Sequence, residues 1–464
     1  MLRLTIPNGR YGRRDFLRVG SLALGGLSLP GVLTNEAAAS AAGLATGKSV
    51  IFLFLHGGPS QIETFDPKMT APIGIRSATG EIATKIPGVT FGSTFPKLAG
   101  LADRLAIVRS FTPGDANHDI KPVVGRDTGG ANLGTLYSRL VGTNHPQSGI
   151  PMNAALFPQA VDPAREPAQK GFGNFEATGS IGSAYAPFVP GAGGDLQKDM
   201  QLSIPVDRLG DRRALLSELD RVRFALDSPG RLDGLDRMRE QAFGTIVGGV
   251  AGAFDLSQED PRTVARYDTA PLMTPEQIDK KWNNHKFYVD NVKTLGKLLL
   301  MARRLCEAGC GFVTVTTNFV WDNHADSNNA GVAEGMRYCG TPLDHALSVF
   351  LEDVEERGLS DKILLVCCGE IGRTPRINQN GGRDHWGGLA PLLLAGGRLK
   401  MGQVIGHSTR DAGEPASDPV RIPNLLATIM HTLFDVGELR VTRGVPSEVM
   451  RAATAADPIP GLFS

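Results

Sequence analysis

What most constrains the fold of this chain is a set of short, unbroken apolar runs, each cut off by a polar, glycine-bearing loop. Residues 363–368, ILLVCC, are the clearest case. A strand with one wet face alternates apolar and polar side chains, so a run without polar positions reads as a strand covered on both faces. Comparable runs at 49–55, 105–108, 151–157 and 391–395, with the β-branched stretch GFVTVTT at 311–317, predict further strands. Helical patterns fall between and after them, at 98–101, 117–128, 133–137, 211–226, 232–250, 275–305, 342–357 and 422–433. In 275–305, Val289, Val292, Leu295, Leu299, Ala302 and Leu305 lie on one stripe, and Gly309 is placed to end the helix. Gly437 is placed to end the last helix, after which about twenty residues read as peripheral. The order predicts an α/β fold: a doubly wound, mainly parallel sheet with helices on both faces.

In such sheets ligands gather outside the carboxyl ends of the strands, and there the chain places its chemistry. His56-Gly57-Gly58 follows the first run, where glycine backbone can approach an anion closely. Asn117-His118-Asp119 is expected at a helix start with Asn117 as N-cap, a position that favours anions. Asp322 and His324, two residues apart after 311–317, can share one metal. Glu370 and Arg373, then Asp384 and His385, follow 363–368. Hydrolysis of phosphate or sulfate esters uses such parts: a metal acidifies the nucleophile and an arginine grips the non-bridging oxygens. The same parts could serve another oxyanion ligand.

The N-terminus reads as an address. Arg13-Arg14-Asp15-Phe16-Leu17 is a twin-arginine signature, 19–33 is apolar and glycine-rich, and Ala37-Ala38-Ala39 is a small-residue cleavage site. Residues 1–39 are therefore set aside as a signal peptide, too short and glycine-rich in its apolar part for a stable membrane span. Residues 40–464 are expected to form one domain with a loop-rich and helical insertion around 158–275. Lys plus Arg and Asp plus Glu both number 48, so no global charge draws the chain to nucleic acid. The cysteines number five; Cys367 and Cys368, neighbours on one strand, must point to opposite faces, and a Cys306–Cys310 bridge stays open.

Several segments carry a resemblance: RRDFL, FLHGGPSQIETFDPK, RSFTPGDANHD, LLMARRLCEAGCGFVTV running into WDNH, LDHALSVFLEDVEERGL and GEIGRTPRINQNGGRDHWG. Over nearly the whole mature chain the sequence resembles the bacterial domain-of-unknown-function family 1501, which is similar to the alkaline phosphatase, sulfatase and cofactor-independent phosphoglycerate mutase superfamily. The resemblance implies that fold. It also implies a divalent metal (zinc, calcium, magnesium or manganese) held by Asp322, His324 and His385 with Glu370 and Asp384, and His56 is a further candidate ligand. His56 stands where the superfamily has an aspartate, Ile371 where it has a histidine, and Asn117-His118-Asp119 where it has a hydroxyl or thiol nucleophile. These departures favour one metal and direct attack by water. The expectation is an exported, periplasmic hydrolase of a sulfate or phosphate ester. Arg373, Gly57 and Gly58 would bind the oxyanion, and His118 would be general acid or base beside Asn117 and Asp119. The alternative is a non-catalytic relative that binds a sulfated or phosphorylated glycan or a partner protein. Genes of the family often stand beside large cytochrome-domain proteins, which implies one such partner.

Overall fold

The computed structural model describes residues 43–191 and 250–463. The expected signal at 1–39 and nearly all of the helical patterns at 211–226 and 232–250 lie outside them. The core strands are β1 (Ser49–Phe54), β2 (Ala106–Val108), β3 (Asn153–Leu156), β4 (Phe312–Val315), β5 (Ile363–Cys368), β6 (Leu392–Gly396) and β7 (Gln403–Ile405). They form one seven-stranded sheet in the order β7-β2-β6-β5-β1-β4-β3. Every pairing is parallel except those of β6, which runs antiparallel to both β5 and β2. The central pair, β1 and β5, matches Ser49 with Ile363 through Phe54 with Cys368, and both strands are buried throughout.

The period of two sends successive side chains to opposite cores. Ile51, Leu53, Val313 and Leu365 face a layer that includes α2 (His285–Glu307) and α3 (Val332–Glu356). Val50, Phe52, Phe54 and Val366 face α1 (Leu133–Val141) and α4 (Ile422–Leu433). Each of these side chains contributes about 1.5–3 kcal/mol on leaving water, and neither face is left wet. Cys367 and Cys368 fall in opposite cores, and all five cysteines are buried and free.

Several boundaries differ from the sequence expectations. No helix starts at Asn117. Asp115 and Asp119 accept the backbone N–H groups of Asn117 (2.9 Å) and Lys121 (3.0 Å), and these local turns compete with helix formation. Pro122 then lacks a donor, and only a short turn at Arg126–Thr128 follows. Helix α2 begins at His285, because Asn283 and Asn284 donate instead to the carbonyls of Ser327 (3.2 Å) and Asn328 (3.0 Å). Helix α3 starts ten residues before the expected position and runs through Pro342. The Tyr338 carbonyl, which loses its helical donor to that proline, accepts from Asn291 Nδ2 of α2 at 3.0 Å. Gly437 lies inside a further short helix, Val436–Val441, and the tail is not peripheral: Val449, Ile459 and Leu462 are buried in the α4 core. Among the described residues no helix is long and apolar enough to cross a membrane.

Candidate metal centre

Four chain segments meet at one edge of the sheet. The loops after β1, β4 and β5 leave from the carboxyl ends of parallel strands. Strand β6 is reversed, so the residues just before it reach the same edge. There the ribbon His385–Trp386 pairs antiparallel with Gly372–Arg373, setting His385 opposite Arg373. The loop beyond β2 delivers His118. Arg383, wholly buried, anchors the approach to His385: it donates to Glu63 Oε1 (2.7 and 3.1 Å) and to the Ile75 carbonyl (2.9 Å).

At the centre Asp322 is buried, and three imidazoles turn a nitrogen toward its Oδ1. His324 Nε2 lies at 3.2 Å, His118 Nε2 at 3.6 Å and His385 Nε2 at 3.7 Å. One donor atom from each of the four residues lies within 4.8 Å of every other. Ligand atoms about 2.0–2.1 Å from a tetrahedral zinc stand roughly 3.3 Å from one another, so these separations suit one small cation. His118 Nε2, His385 Nε2 and Asp322 Oδ1 are buried without a hydrogen bond. Arg373 Nη2 comes within 2.6 Å of Asp322 Oδ1, an ion-pair contact outside hydrogen-bond geometry. Buried polar atoms are rarely left so, and a cation would satisfy all three.

A second layer orients the first. Glu370 Oε1 lies 2.6 Å from His118 Nδ1 and accepts the Gly57 amide at 3.0 Å. Asp384 Oδ1 lies 3.4 Å from His324 Nδ1. Asn329, itself held by Asn284 Nδ2 at 2.7 Å, donates to Asp322 Oδ2 at 3.0 Å. Carboxylates behind imidazole ligands fix the tautomer and ring angle in metal sites. Phe319 and Phe172, stacked with centroids 4.2 Å apart, cover one side of His118.

The electrostatics follow from these contacts. Burial alone would raise the Asp322 carboxyl, but the Arg373 guanidinium and the surrounding imidazoles override it and hold it far below the usual range. Burial works against a charged His118, yet the neighbouring carboxylates of Asp322 and Glu370 win and its pKa is raised. His324 is lowered, chiefly by burial.

Of the residues singled out in the sequence, Asp322, His324 and His385 come together. His118 joins them as a fourth donor instead of standing apart as an acid or base. Glu370 and Asp384 sit behind the donor group and outside it. His56 is also outside: it has no exposed surface, neither nitrogen has a partner, and Phe54, Phe172, Phe175 and Phe319 surround its ring. Burial pushes its pKa down to about 4. Asn117 is exposed, and Asp119 is engaged with Lys121 at 3.2 Å and is not among the four donors. Gly57 and Gly58 do not present an open anion cradle. The Gly57 amide is taken by Glu370, and both carbonyls accept from Arg373. Arg373 is wholly buried and directs its donors inward, so it is placed to position Asp322 and not to grip a ligand. Asn329, Arg383 and Phe172 were not anticipated. The asparagines after Asp322 were the one available signal, while Arg383 and Phe172 depend on contacts remote in sequence.

A family model described as Protein of unknown function (DUF1501) matches residues 47–452. The chain belongs to that family. No curated protein sequence matches it. Among solved structures it is similar to the PsFucS1 sulfatase from Pseudoalteromonas sp., at 12% identity and TM-score 0.38, covering 93% of this chain and 77% of that one. It is also similar to the lipoteichoic acid synthase LtaP from Listeria monocytogenes, at 8% identity and TM-score 0.33, covering 90% and 81%. A third is TAB5 alkaline phosphatase, at 10% identity and TM-score 0.30, covering 79% and 96%.

Proposed function

We propose that the protein is an exported, metal-dependent hydrolase that cleaves a sulfate or phosphate ester with water as the nucleophile. The observation that carries this reading is the convergence of His118, Asp322, His324 and His385 around buried atoms that lack a hydrogen bond. Three imidazoles and one carboxylate suit zinc better than calcium or magnesium, which prefer all-oxygen surroundings. A cation held there would supply Lewis acidity to an ester oxygen and lower the pKa of a water.

The chain's own residues have separate tasks. Glu370 holds His118 through Nδ1 and Asp384 holds His324, so both rings present Nε2. Arg373 and Asn329 fix the two oxygens of Asp322. The stacked Phe172 and Phe319 keep water from one side of His118, leaving His385 as the open side. The stretch Asn117-His118-Asp119, which the resemblance sets at the nucleophile position, holds no serine, threonine or cysteine, and this supports attack by water.

The test is metal content followed by turnover. Protein produced with zinc available is expected to hold one ion per chain, which His385→Ala and Asp322→Ala lose. A screen of aryl sulfates, aryl phosphates and phosphodiesters across zinc, manganese, magnesium and calcium then reads the reaction. Metal-free wild-type protein would end the proposal. Metal-loaded protein that binds sulfated glycan with no turnover would favour the non-catalytic alternative.

A further inference from the structure

His385 also lines an open cleft of about 580 Å³, whose walls include Asp115, Trp386, Glu414 and Arg421. The cleft is built and not incidental. A Cβ on Gly387 would lie 2.6 Å from the Asp115 backbone, and one on Gly388 would lie 2.5 Å from Trp386 Nε1 and 2.7 Å from Glu414 Oε1. Bare backbone is therefore required along one wall. Trp386 Nε1 donates to the Gly413 carbonyl at 2.6 Å, which fixes the half-buried indole at the cleft.

The charges in the cleft are mixed. Asp115 is paired with Lys121 Nζ at 2.7 Å, while Glu414 and Arg421 form no ion pair among the described residues. One free carboxylate and one free guanidinium in the same cleft give no net attraction for a polyanion. It does offer an acceptor and a donor to neighbouring hydroxyl groups, which can both donate and accept, through charge-assisted bonds. An aromatic side chain beside them suits the apolar C–H face of a pyranose ring.

We propose that this cleft is a subsite for a neutral sugar residue, stacked on Trp386 and hydrogen-bonded by Glu414 and Arg421, next to the group that is cleaved. This rests on the four-donor group being the reacting centre and narrows its substrate. The ester to be cleaved is carried on an otherwise uncharged saccharide, and a densely sulfated chain is excluded.

Calorimetric titration of the full-length protein with neutral trisaccharides (maltotriose, cellotriose, laminaritriose, xylotriose, mannotriose and chitotriose), and with heparin as polyanion, tests it. Saturable binding of a neutral trisaccharide that persists in EDTA is expected. Trp386→Ala and the exposed Glu414→Gln should each weaken it about tenfold, or 1.4 kcal/mol. His324→Ala should lose metal and turnover yet keep the trisaccharide, so a failed hydrolase reading and a failed sugar subsite give different results. Absence of binding across the panel, or binding unchanged in both cleft variants, overturns the proposal. So does heparin binding that exceeds every trisaccharide and is lost in Arg421→Ala.

Discussion

Glu370 Oε1 lies 2.6 Å from His118 Nδ1, so the other nitrogen of that imidazole is turned toward Asp322. The carboxylate has no exposed surface and also receives the Gly57 amide. Glu370→Gln keeps the shape but removes the charge that fixes the ring and its tautomer. Metal affinity should fall by about 10–100-fold, the usual effect of losing such a support, as read by competition with a chromophoric chelator. An unchanged affinity would mean that His118 is not a ligand.

Asp322 and Arg373 form a buried pair at 2.6 Å. Asp322→Asn leaves the guanidinium without its counter-charge, a change that costs on the order of 3–5 kcal/mol in buried pairs. Urea denaturation in EDTA should show that loss, whereas His324→Ala, on the more exposed side, should change metal-free stability by less than about 1 kcal/mol. Equal stability of Asp322→Asn and wild type would show that Arg373 finds its compensation elsewhere.

Much of the fold is legible in the sequence, because fully apolar runs such as 363–368 have few places to go but the middle of a sheet. That Asp322, His324 and His385 would meet was legible in part, since the loops that carry them leave the carboxyl ends of the strands at 311–317 and 363–368. What stayed hidden depended on contacts remote in sequence. His118 looked like a freestanding acid or base because nothing local shows that Glu370, 252 residues away, takes its Nδ1. The helix expected after Asn117 failed because side-chain turns at Asp115 and Asp119 outcompeted it. Pro342 looked like a helix start because its compensation, Asn291, lies on another helix.

Asp344, buried on α3, accepts the backbone N–H groups of Leu98 (2.8 Å) and Lys97 (3.2 Å). Burial nonetheless dominates and raises its carboxyl to about 6 from 3.8. A group whose folded pKa is raised stabilises fully below its unfolded pKa and loses that contribution as pH rises through the folded value. Two pKa units correspond to about 3 kcal/mol. The stability difference between wild type and Asp344→Asn should therefore shift against wild type by up to that amount between about pH 4 and pH 6. Urea midpoints at intervals across this range check it, and a flat difference would remove Asp344 as the source.

Gly57 ties the sheet to the donor loop. Its φ is +112°, and a Cβ there would lie 2.6 Å from the Asp322 amide nitrogen and 2.8 Å from that of Trp321. These are backbone atoms, and they cannot swing aside as a side-chain tip can. The same loop is drawn inward by the Val320 and Trp321 amides, which donate to the His56 carbonyl at 3.1 and 3.0 Å. Gly57→Ala must therefore lift Asp322 away from the three imidazoles, in addition to the left-handed strain of about 1–2 kcal/mol. Gly47→Ala provides the control: its φ is +73° and nothing lies within 4 Å of the added methyl. Both variants should lose stability through backbone strain, but only Gly57→Ala should lose bound metal. Should both keep the ion, the close approach of the β1 turn to Asp322 is not what places that carboxylate.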